Sequence, residues 1–209
     1  RMRHPALRVR YLVAFTCATA LIATMTVVPR GAEDGEWRTY TGGNAGLKYS
    51  PLDQINKGNV KSLRIAWRQS AMPMDVRKGR GTVALPVNYQ TTPVMVGNLL
   101  YMTASDSSVV ALNPGTGVPV WSYVPPVLMP AEAPDPNETP TTIVAGRSAN
   151  RGLAYWSNGT DSRIIAITGS SLFALDAKTG ALITTFGTDG SVDLTKGFRR
   201  AATGTRWTA

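Results

Sequence analysis

The sequence has almost none of the two side chains that most often build metal centres and acid–base sites. Its 209 residues contain one cysteine, Cys17, and one histidine, His4, and both lie near the start of the chain. The body of the chain therefore has no pair of thiols for a disulfide and no thiolate set for a metal. Histidine-based general-base catalysis and histidine-ligated zinc are excluded there as well.

The body of the chain also lacks an excess of charge. The formal net charge is +9, but residues 31–195 contain 13 basic and 13 acidic residues. The surplus arginines and lysines flank the first apolar run or follow residue 195. Because no basic stripe with interleaved aromatic residues is present, we expect no nucleic-acid partner.

The first 32 residues have the pattern of an export signal, with a basic stretch at 1–10 and an uncharged apolar run at 11–28. Arg30 is a poor residue three positions before Ala32, so the cleavage site is not defined. The apolar run is also near the length of a membrane anchor. A cleaved signal peptide and a retained anchor both stay open, and a buried core helix is the less favoured alternative. We expect a periplasmic protein, either exported or held at the inner membrane.

Two segments of the body repeat one pattern, in which a strand, a tight turn and a second strand follow one another. An Asn or Asp at the start of such a turn can bond its own backbone two residues on, and glycine supplies left-handed backbone. A unit repeated at a fixed offset indicates a repeat architecture. The residues Ala111, Asn113 and Thr116-Gly117 correspond to Ala174, Asp176 and Thr179-Gly180.

Short apolar runs separated by turn residues predict two meanders of four strands each. The first has strands at 93–96, 99–103, 107–112 and 118–123, with Gly97-Asn98 as a two-residue hairpin turn. The second has strands at 152–156, 163–167, 171–175 and 181–186. These units predict an all-β fold, a partial β-propeller of two to three four-stranded blades, with two unrelated sheets of a sandwich as the alternative.

The meanders divide the chain into six parts. Blades at 91–123 and 151–195 are separated by a proline-rich inserted loop at 124–150 and followed by an irregular tail at 196–209. The leader at 1–32 and a lead-in at 33–90 precede them. In the lead-in we expect a helical turn near 56–63 with Asn56 as its N-cap, a strand at 63–68 that half-buries Trp67, and a loop at 69–90. The segment Gly79-Arg80-Gly81-Thr82-Val83-Ala84 formally fits a dinucleotide fingerprint, but no apolar strand precedes it and no amphipathic helix follows.

Residues 36–195 resemble the N-terminal part of the bacterial pyrroloquinoline quinone (PQQ)-dependent dehydrogenases, the quinoprotein alcohol and membrane glucose dehydrogenases. The two turns are similar to the tryptophan-docking repeat of that family. The first copy keeps its tryptophan, Trp121, whereas the second has Thr184 in that place. The lead-in carries the family's N-terminal signature at Trp37, Gly42, Tyr49-Ser50-Pro51-Leu52, Gln54-Ile55-Asn56, Asn59-Val60, Leu63 and Ala66-Trp67.

The resemblance implies an eight-bladed propeller with PQQ and a calcium ion on its axis. It places Gln90 where the family has a PQQ-contacting Glu or Gln, and Arg151 near the quinone. It also places Thr168 at a PQQ-bonding threonine, although Ile167 stands in strict register. An amide can bond carbonyl and carboxylate oxygens, and a guanidinium pairs with carboxylates. The alternatives are a polar residue that satisfies local backbone at Gln90 and a solvated surface arginine at Arg151.

The implied activity is oxidation of an alcohol or a sugar by hydride transfer to PQQ, with a quinone or cytochrome c as electron acceptor. In the family, the calcium ligands and the catalytic aspartate lie further along than this sequence reaches. We therefore name no catalytic or metal-binding residue and expect these 209 residues to be inactive alone. Ala145 and Gly146 stand where the alcohol dehydrogenase branch has adjacent cysteines, which favours the glucose dehydrogenase-like branch.

Two other functions are compatible with a sheet-rich repeat. A non-catalytic propeller scaffold of the cell envelope is the main alternative, but the signature at Tyr49-Ser50-Pro51-Leu52 favours the enzyme because a scaffold has no need of it. A module that binds glycans through Trp37, Trp121 and Trp156 is the third hypothesis. Such tryptophans are more often core or docking residues than sugar platforms.

Overall fold

The computed structural model describes residues 35–43, 45–77, 89–126 and 151–197, together with the backbone pairing of 83–84 and 143–144. Within these ranges the helical elements are a 3-10 helix at Val60–Ser62 and one α-helix, α1, at Met74–Arg77. The strands are β1 (Val83–Ala84), β2 (Val94–Val96), β3 (Leu99–Thr103), β4 (Val109–Leu112), β5 (Pro119–Tyr123), β6 (Ile143–Val144), β7 (Ala154–Ser157), β8 (Ser162–Thr168), β9 (Ser171–Asp176) and β10 (Ser191–Asp193).

Eight of these strands form two four-stranded antiparallel sheets with the same topology. The first has the order β2-β3-β4-β5 and the second the order β7-β8-β9-β10. β1 and β6 form a separate two-stranded parallel pair. The hairpin between β2 and β3 turns at Gly97 and Asn98, both with positive φ (56° and 61°), as its sequence predicts. The all-β prediction with two four-stranded units is confirmed.

The two sheets share one apolar core. Val94, Val96, Tyr101, Val109 and Ala111 of the first sheet pack with buried residues of the second. The partners from the second sheet are Ile164, Ala166, Phe173 and Leu175. Each sheet therefore buries one face against its neighbour. The sheets also meet at equivalent edges, because a parallel bridge joins Thr92, before β2, to Gly152, before β7. Equivalent inner strands side by side are the arrangement of adjacent propeller blades.

The other face of the first sheet is covered by the segment that ends in α1. Met72 and Val76 are fully buried there against Val110 and Leu112. This short helix and β1 both lie in the stretch at 69–90 for which the sequence predicts a loop, and that prediction is wrong at 74–77 and 83–84. Four residues are too few to show a helical period in the sequence.

The two repeated turns have the predicted chemistry. The side-chain Oδ1 of Asn113 accepts hydrogen bonds from the backbone N–H of Gly115 and Thr116, at 2.9 and 3.1 Å. Asp176 Oδ1 accepts the equivalent bonds from Lys178 and Thr179, at 3.0 and 2.8 Å. Partial burial opposes ionisation of Asp176, but these bonds and the Thr179 hydroxyl outweigh it and lower the pKa of its carboxyl.

A tryptophan docks on each turn from the preceding part of the chain. Trp67 Nε1 donates to the carbonyl oxygen of Pro114 at 2.8 Å, and Trp121 Nε1 donates to that of Ala177 at 3.1 Å. A Cβ on Gly117 would lie 2.5 Å from the Trp67 ring, and one on Gly180 would lie 2.6 Å from the Trp121 ring. Both glycines have left-handed φ, 70° and 74°. Each turn therefore requires glycine for two reasons, the left-handed backbone and the space that the indole ring fills.

The predicted strand at 63–68 is wrong. In the described part of the chain this segment pairs with no strand, and Leu63 and Ile65 are 54% and 68% exposed. Alternating apolar residues form a strand only where a neighbouring strand takes up their backbone hydrogen bonds. Trp67 is half-buried as predicted, but it packs on the Gly117 turn rather than in a sheet.

The predicted fourth strand of the second sheet, at 181–186, is also wrong. Leu182 makes a single bridge to Leu175, after which the chain turns, and Phe186 N–H donates to the carbonyl oxygen of Ile183. The fourth strand is β10, which pairs with the first half of β9. Thr184, Thr185 and Phe186 are residues with high β-propensity, so the prediction fails because tertiary context overrides a weak local preference.

The helical turn of the lead-in begins later than predicted. The N-cap of the 3-10 helix is Asn59, not Asn56. Asn56 instead starts the turn before it, because its Oδ1 accepts from the Gly58 N–H at 2.9 Å. Ile143–Val144 is an unpredicted two-residue strand within the insert. The leader at 1–32, most of the insert and residues 198–209 lie outside the described residues. None of the helices in the described ranges is long and apolar enough to cross a membrane.

Substitution of Gly180 by Ala should destabilise the chain more than the same change at Gly169. Both glycines have left-handed φ, 74° and 59°, but only a Cβ on Gly180 would meet a ring, since nothing lies within 4 Å of one on Gly169. We expect Gly169→Ala to cost about 1–2 kcal/mol from backbone strain, and Gly180→Ala to cost about 1–3 kcal/mol more from the clash. Urea unfolding followed by tryptophan fluorescence measures both. Equal losses would show that Trp121 does not pack on this turn.

Candidate functional site

A backbone contact between the starts of the two sheets brings the site together. The N–H of Thr92 donates to the carbonyl oxygen of Arg151 at 3.1 Å, within the Thr92–Gly152 bridge. Gly152 has φ 149°, and a Cβ there would lie 3.2 Å from the Thr92 carbonyl oxygen. The absence of a side chain at Gly152 therefore lets the backbone segments that precede β2 and β7 approach each other. Arg151 is placed beside the segment that contains Gln90.

Gln90 and Arg151, two of the three predicted site residues, line one open cavity. The other lining residues are Thr91, Thr92 and Tyr40, and the cavity volume is about 510 Å³. Sites for small molecules and cofactors usually have volumes of about 300–1,000 Å³. The cavity is therefore large enough for a small organic ligand, and it lies where the inner edges of the two sheets meet.

The side chains of Gln90 and Arg151 are exposed and available to a ligand. Within the described part of the chain, the ion pairs are Arg38–Glu36 and Arg163–Asp161, and no carboxylate pairs with Arg151. A guanidinium with a neighbouring amide can bind carboxylate and carbonyl oxygens together.

The residues on either side of Gln90 are fixed to the end of β3. The Tyr89 hydroxyl donates to the carbonyl oxygen of Thr103 at 2.9 Å, and the hydroxyl oxygens of Thr91 and Thr103 lie 2.8 Å apart. Burial raises the pKa of Tyr89 to about 12, so its hydroxyl stays protonated at neutral pH and keeps donating. The backbone of Gln90 is thus held in place while its side chain faces the cavity.

Thr168, the third predicted residue, does not line this cavity. It ends β8 and is 5% exposed, and its hydroxyl donates to the carbonyl oxygen of Ser107 at 3.1 Å. This bond ties the second sheet to the β3–β4 loop of the first. Its neighbour Ile167 lines an adjacent cavity of about 320 Å³, which shares Arg151 and Tyr40 with the first. The cofactor role of Thr168 stays a prediction.

Tyr40 is a lining residue that sequence reasoning missed. It borders both cavities and is 64% exposed. Its position follows from Trp37, three residues earlier, which forms an antiparallel bridge to Met95 of β2. The sequence carries no signal for that pairing, because a single bridge has no periodicity. In the described residues, no group of three or more His, Cys, Asp or Glu side chains could hold a metal ion.

Comparison with known proteins decides the family. The family model for the PQQ glucose/ethanol/alcohol dehydrogenase β-propeller domain matches residues 37–208. The chain belongs to this family. The lead-in from Trp37 onward and both docking turns lie within the matched range, and the two sheets are blades of a β-propeller.

The relatives are quinoprotein dehydrogenases. The dehydrogenase subunit of a quinone-dependent alcohol dehydrogenase from Gluconacetobacter polyoxogenes is 34% identical, covering 83% of this chain and 22% of its own length. Quinoprotein glucose dehydrogenase A from Acinetobacter calcoaceticus is 28% identical over 82% of this chain and 22% of its own. The crystal structure of quinohemoprotein alcohol dehydrogenase from Comamonas testosteroni matches with a TM-score of 0.55 and 26% identity, covering 82% of this chain and 21% of that one. The chain thus spans about a fifth of the length of these relatives.

Replacing Thr168 by Val should lower stability without changing the cavity. The carbonyl oxygen of Ser107 would lose its donor in a partly buried hydrogen bond, which costs about 0.5–1.5 kcal/mol. Urea unfolding of Thr168→Val and of Thr168→Ser, which keeps the hydroxyl, measures this loss. Unchanged stability of the Val variant, together with weaker binding of PQQ, would assign the hydroxyl to the cofactor instead.

Proposed function

We propose that the chain is the amino-terminal portion of an exported PQQ-dependent dehydrogenase that oxidises an alcohol or a sugar. The observation that carries this proposal is the convergence of Gln90 and Arg151 in one cavity where the first two blades meet. Family membership supports it, as does the description of the relatives as quinone-dependent alcohol dehydrogenase and quinoprotein glucose dehydrogenase.

The residues present fit the chemistry of PQQ, which carries carboxylates and quinone carbonyls. Arg151 would pair with a carboxylate through the parallel N–H groups of its guanidinium. The Gln90 amide would donate to a carbonyl or carboxylate oxygen from a backbone position fixed by its two neighbours. When bound, PQQ accepts the hydride of the substrate. The part of these two residues is to bind and orient the cofactor.

The remaining chemistry is assigned to residues outside this chain. We propose that a calcium ion lies beside the cofactor and that its ligands and the catalytic aspartate belong to later blades. The acceptor is proposed to be a quinone or a cytochrome c, since a relative from Thauera butanivorans, 32% identical, is named 1-butanol dehydrogenase (cytochrome c). Ala145 and Gly146 favoured a glucose dehydrogenase-like branch. The identities of 34% and 28% given above do not add support for it, so the substrate class stays alcohol or sugar.

We further propose that the protein acts on the periplasmic side of the inner membrane. The support is the basic stretch at 1–10 and the uncharged run at 11–28, which fit an export signal or an uncleaved anchor. Oxidation outside the cytoplasm agrees with an acceptor that is a membrane quinone or a soluble cytochrome.

Binding of PQQ tests the cofactor site. In equilibrium dialysis of the purified 209-residue chain with PQQ, Arg151→Leu should weaken binding roughly tenfold to a hundredfold, because a charge-assisted hydrogen bond is lost. Gln90→Leu should have a smaller effect in the same direction. Arg151→Lys should recover part of the affinity, since it keeps the charge but loses the paired donors.

The matched control is Arg64→Leu, because Arg64 is exposed and lies outside the cavity. Its affinity should equal that of the unchanged chain. If neither Arg151→Leu nor Gln90→Leu alters binding, the cofactor lies elsewhere. Absence of PQQ binding in the unchanged chain would contradict a cofactor site formed by Gln90 and Arg151 in these residues.

Activity of the isolated chain should be absent. With PQQ, calcium, ethanol or glucose, and an artificial dye, we expect no dye reduction above that of PQQ and calcium without protein. The physical reason is that the chain supplies cofactor-binding residues but no assigned base or metal ligand. Dye reduction that depends on both the chain and the substrate would contradict this assignment.

A further inference from the structure

The loop around Tyr40 is anchored to the inner edge of the first sheet. Trp37 N–H donates to the Met95 carbonyl oxygen at 2.7 Å and accepts in return from the Met95 N–H at 2.9 Å. Glu36 Oε1 accepts from the Gly97 N–H at 2.9 Å. Partial burial opposes ionisation of Glu36, but the Gly97 and Arg38 hydrogen bonds outweigh it and lower the pKa of its carboxyl. Glu36 and Trp37 thus hold the start of the loop against β2 and the turn that follows it.

The same loop also contacts the second sheet and is closed by its own backbone. The guanidinium carbon of Arg38 lies 5.7 Å from the ring centre of Tyr155 in β7. Gly42 N–H donates to the carbonyl oxygen of Thr39 at 3.1 Å, and Lys48 N–H donates to that of Thr41 at 2.9 Å. Contacts with both sheets fix this loop across the line where the blades meet.

Tyr40 lies at the centre of this anchored loop, and the direction of the chain brings it to the cavity. Trp37 pairs antiparallel with Met95, so the chain after Trp37 runs towards Thr92 and Gln90. Tyr40 lines the cavity, belongs to no strand and is 64% exposed. A ring this exposed in a fixed loop gains by covering its apolar surface with a ligand.

We propose that Tyr40 is a positioning residue of the cofactor cavity, whose ring stacks on a planar, aromatic, anionic ligand held by Gln90 and Arg151. An aromatic ring beside a guanidinium and an amide offers one contact for the ligand's face and two for its charged edge. This inference rests on the proposed cofactor site. Tyr40 adds a residue of the lead-in to a cavity whose other lining residues directly precede β2 or β7.

Ring-retaining and ring-removing variants test the role of Tyr40 in equilibrium dialysis with PQQ. Tyr40→Phe should bind as the unchanged chain does, because the ring is kept. Tyr40→Leu should bind roughly twofold to tenfold more weakly, as expected for loss of one aromatic stacking contact. The matched control is Tyr49→Leu, since Tyr49 is 60% exposed in the same lead-in but lines neither cavity. Its affinity should not change.

The outcomes separate this inference from the cofactor site itself. If Arg151→Leu weakens binding while Tyr40→Leu binds normally, the stacking role is wrong and the cofactor site stands. If the unchanged chain does not bind PQQ, or Arg151→Leu and Gln90→Leu both bind normally, the site fails and the inference fails with it. A thermal unfolding scan of each variant shows whether the fold is kept. Should Tyr40→Leu lower the midpoint, Tyr40→Gln serves as the second ring-removing variant and must show the same loss.

Discussion

The carbonyl oxygen of Ala177 is the point on which the joining of the two blades depends. It accepts two side-chain hydrogen bonds from the first blade, one from the Trp121 indole and one from the Tyr101 hydroxyl, each at 3.1 Å. Burial raises the pKa of Tyr101 to about 12, so its hydroxyl stays a donor throughout the physiological range. The Asp176 turn fixes this carbonyl, and Gly180 leaves the space that the indole fills. The hydrogen bonds that form the Asp176 turn therefore also position the acceptor that joins the two blades.

A second set of contacts fixes the opposite ends of the strands, and the cavity follows from it. The Thr92–Gly152 bridge and the bond from Thr168 to Ser107 tie the blades where β2 and β7 begin. With both ends held, Gln90 and Arg151 cannot move apart without breaking backbone pairing. Gln90 and Arg151 are distant in sequence, and they meet because two sheets of the same topology are joined where their first strands begin. The arrangement of the cavity side chains therefore depends on the geometry of this contact.

The parts of this structure that could be predicted are those with a local physical cause. The turns at Asn113 and Asp176, the hairpin at Gly97-Asn98 and the two meanders follow from side-chain caps, left-handed glycines and alternating apolar residues. Family resemblance supplied Gln90 and Arg151, and the structure brings those two together. What could not be predicted depends on distant contacts. Examples are the docking of Trp67 on the Gly117 turn, the four-residue helix α1 and the single bridge that delivers Tyr40.

The displaced fourth strand of the second blade shows how the repeat changes where its tryptophan is missing. In the first blade, Trp121 lies in β5 and reaches the next turn. At the equivalent place the second blade has Thr184, which is too small to reach a neighbouring turn in the same way. There the chain leaves the sheet, and Leu182 packs so closely on Gly190 that a Cβ on that glycine would lie 2.6 Å away. In the first repeat this part of the sequence makes a contact between blades. In the second repeat it makes an apolar contact within the blade.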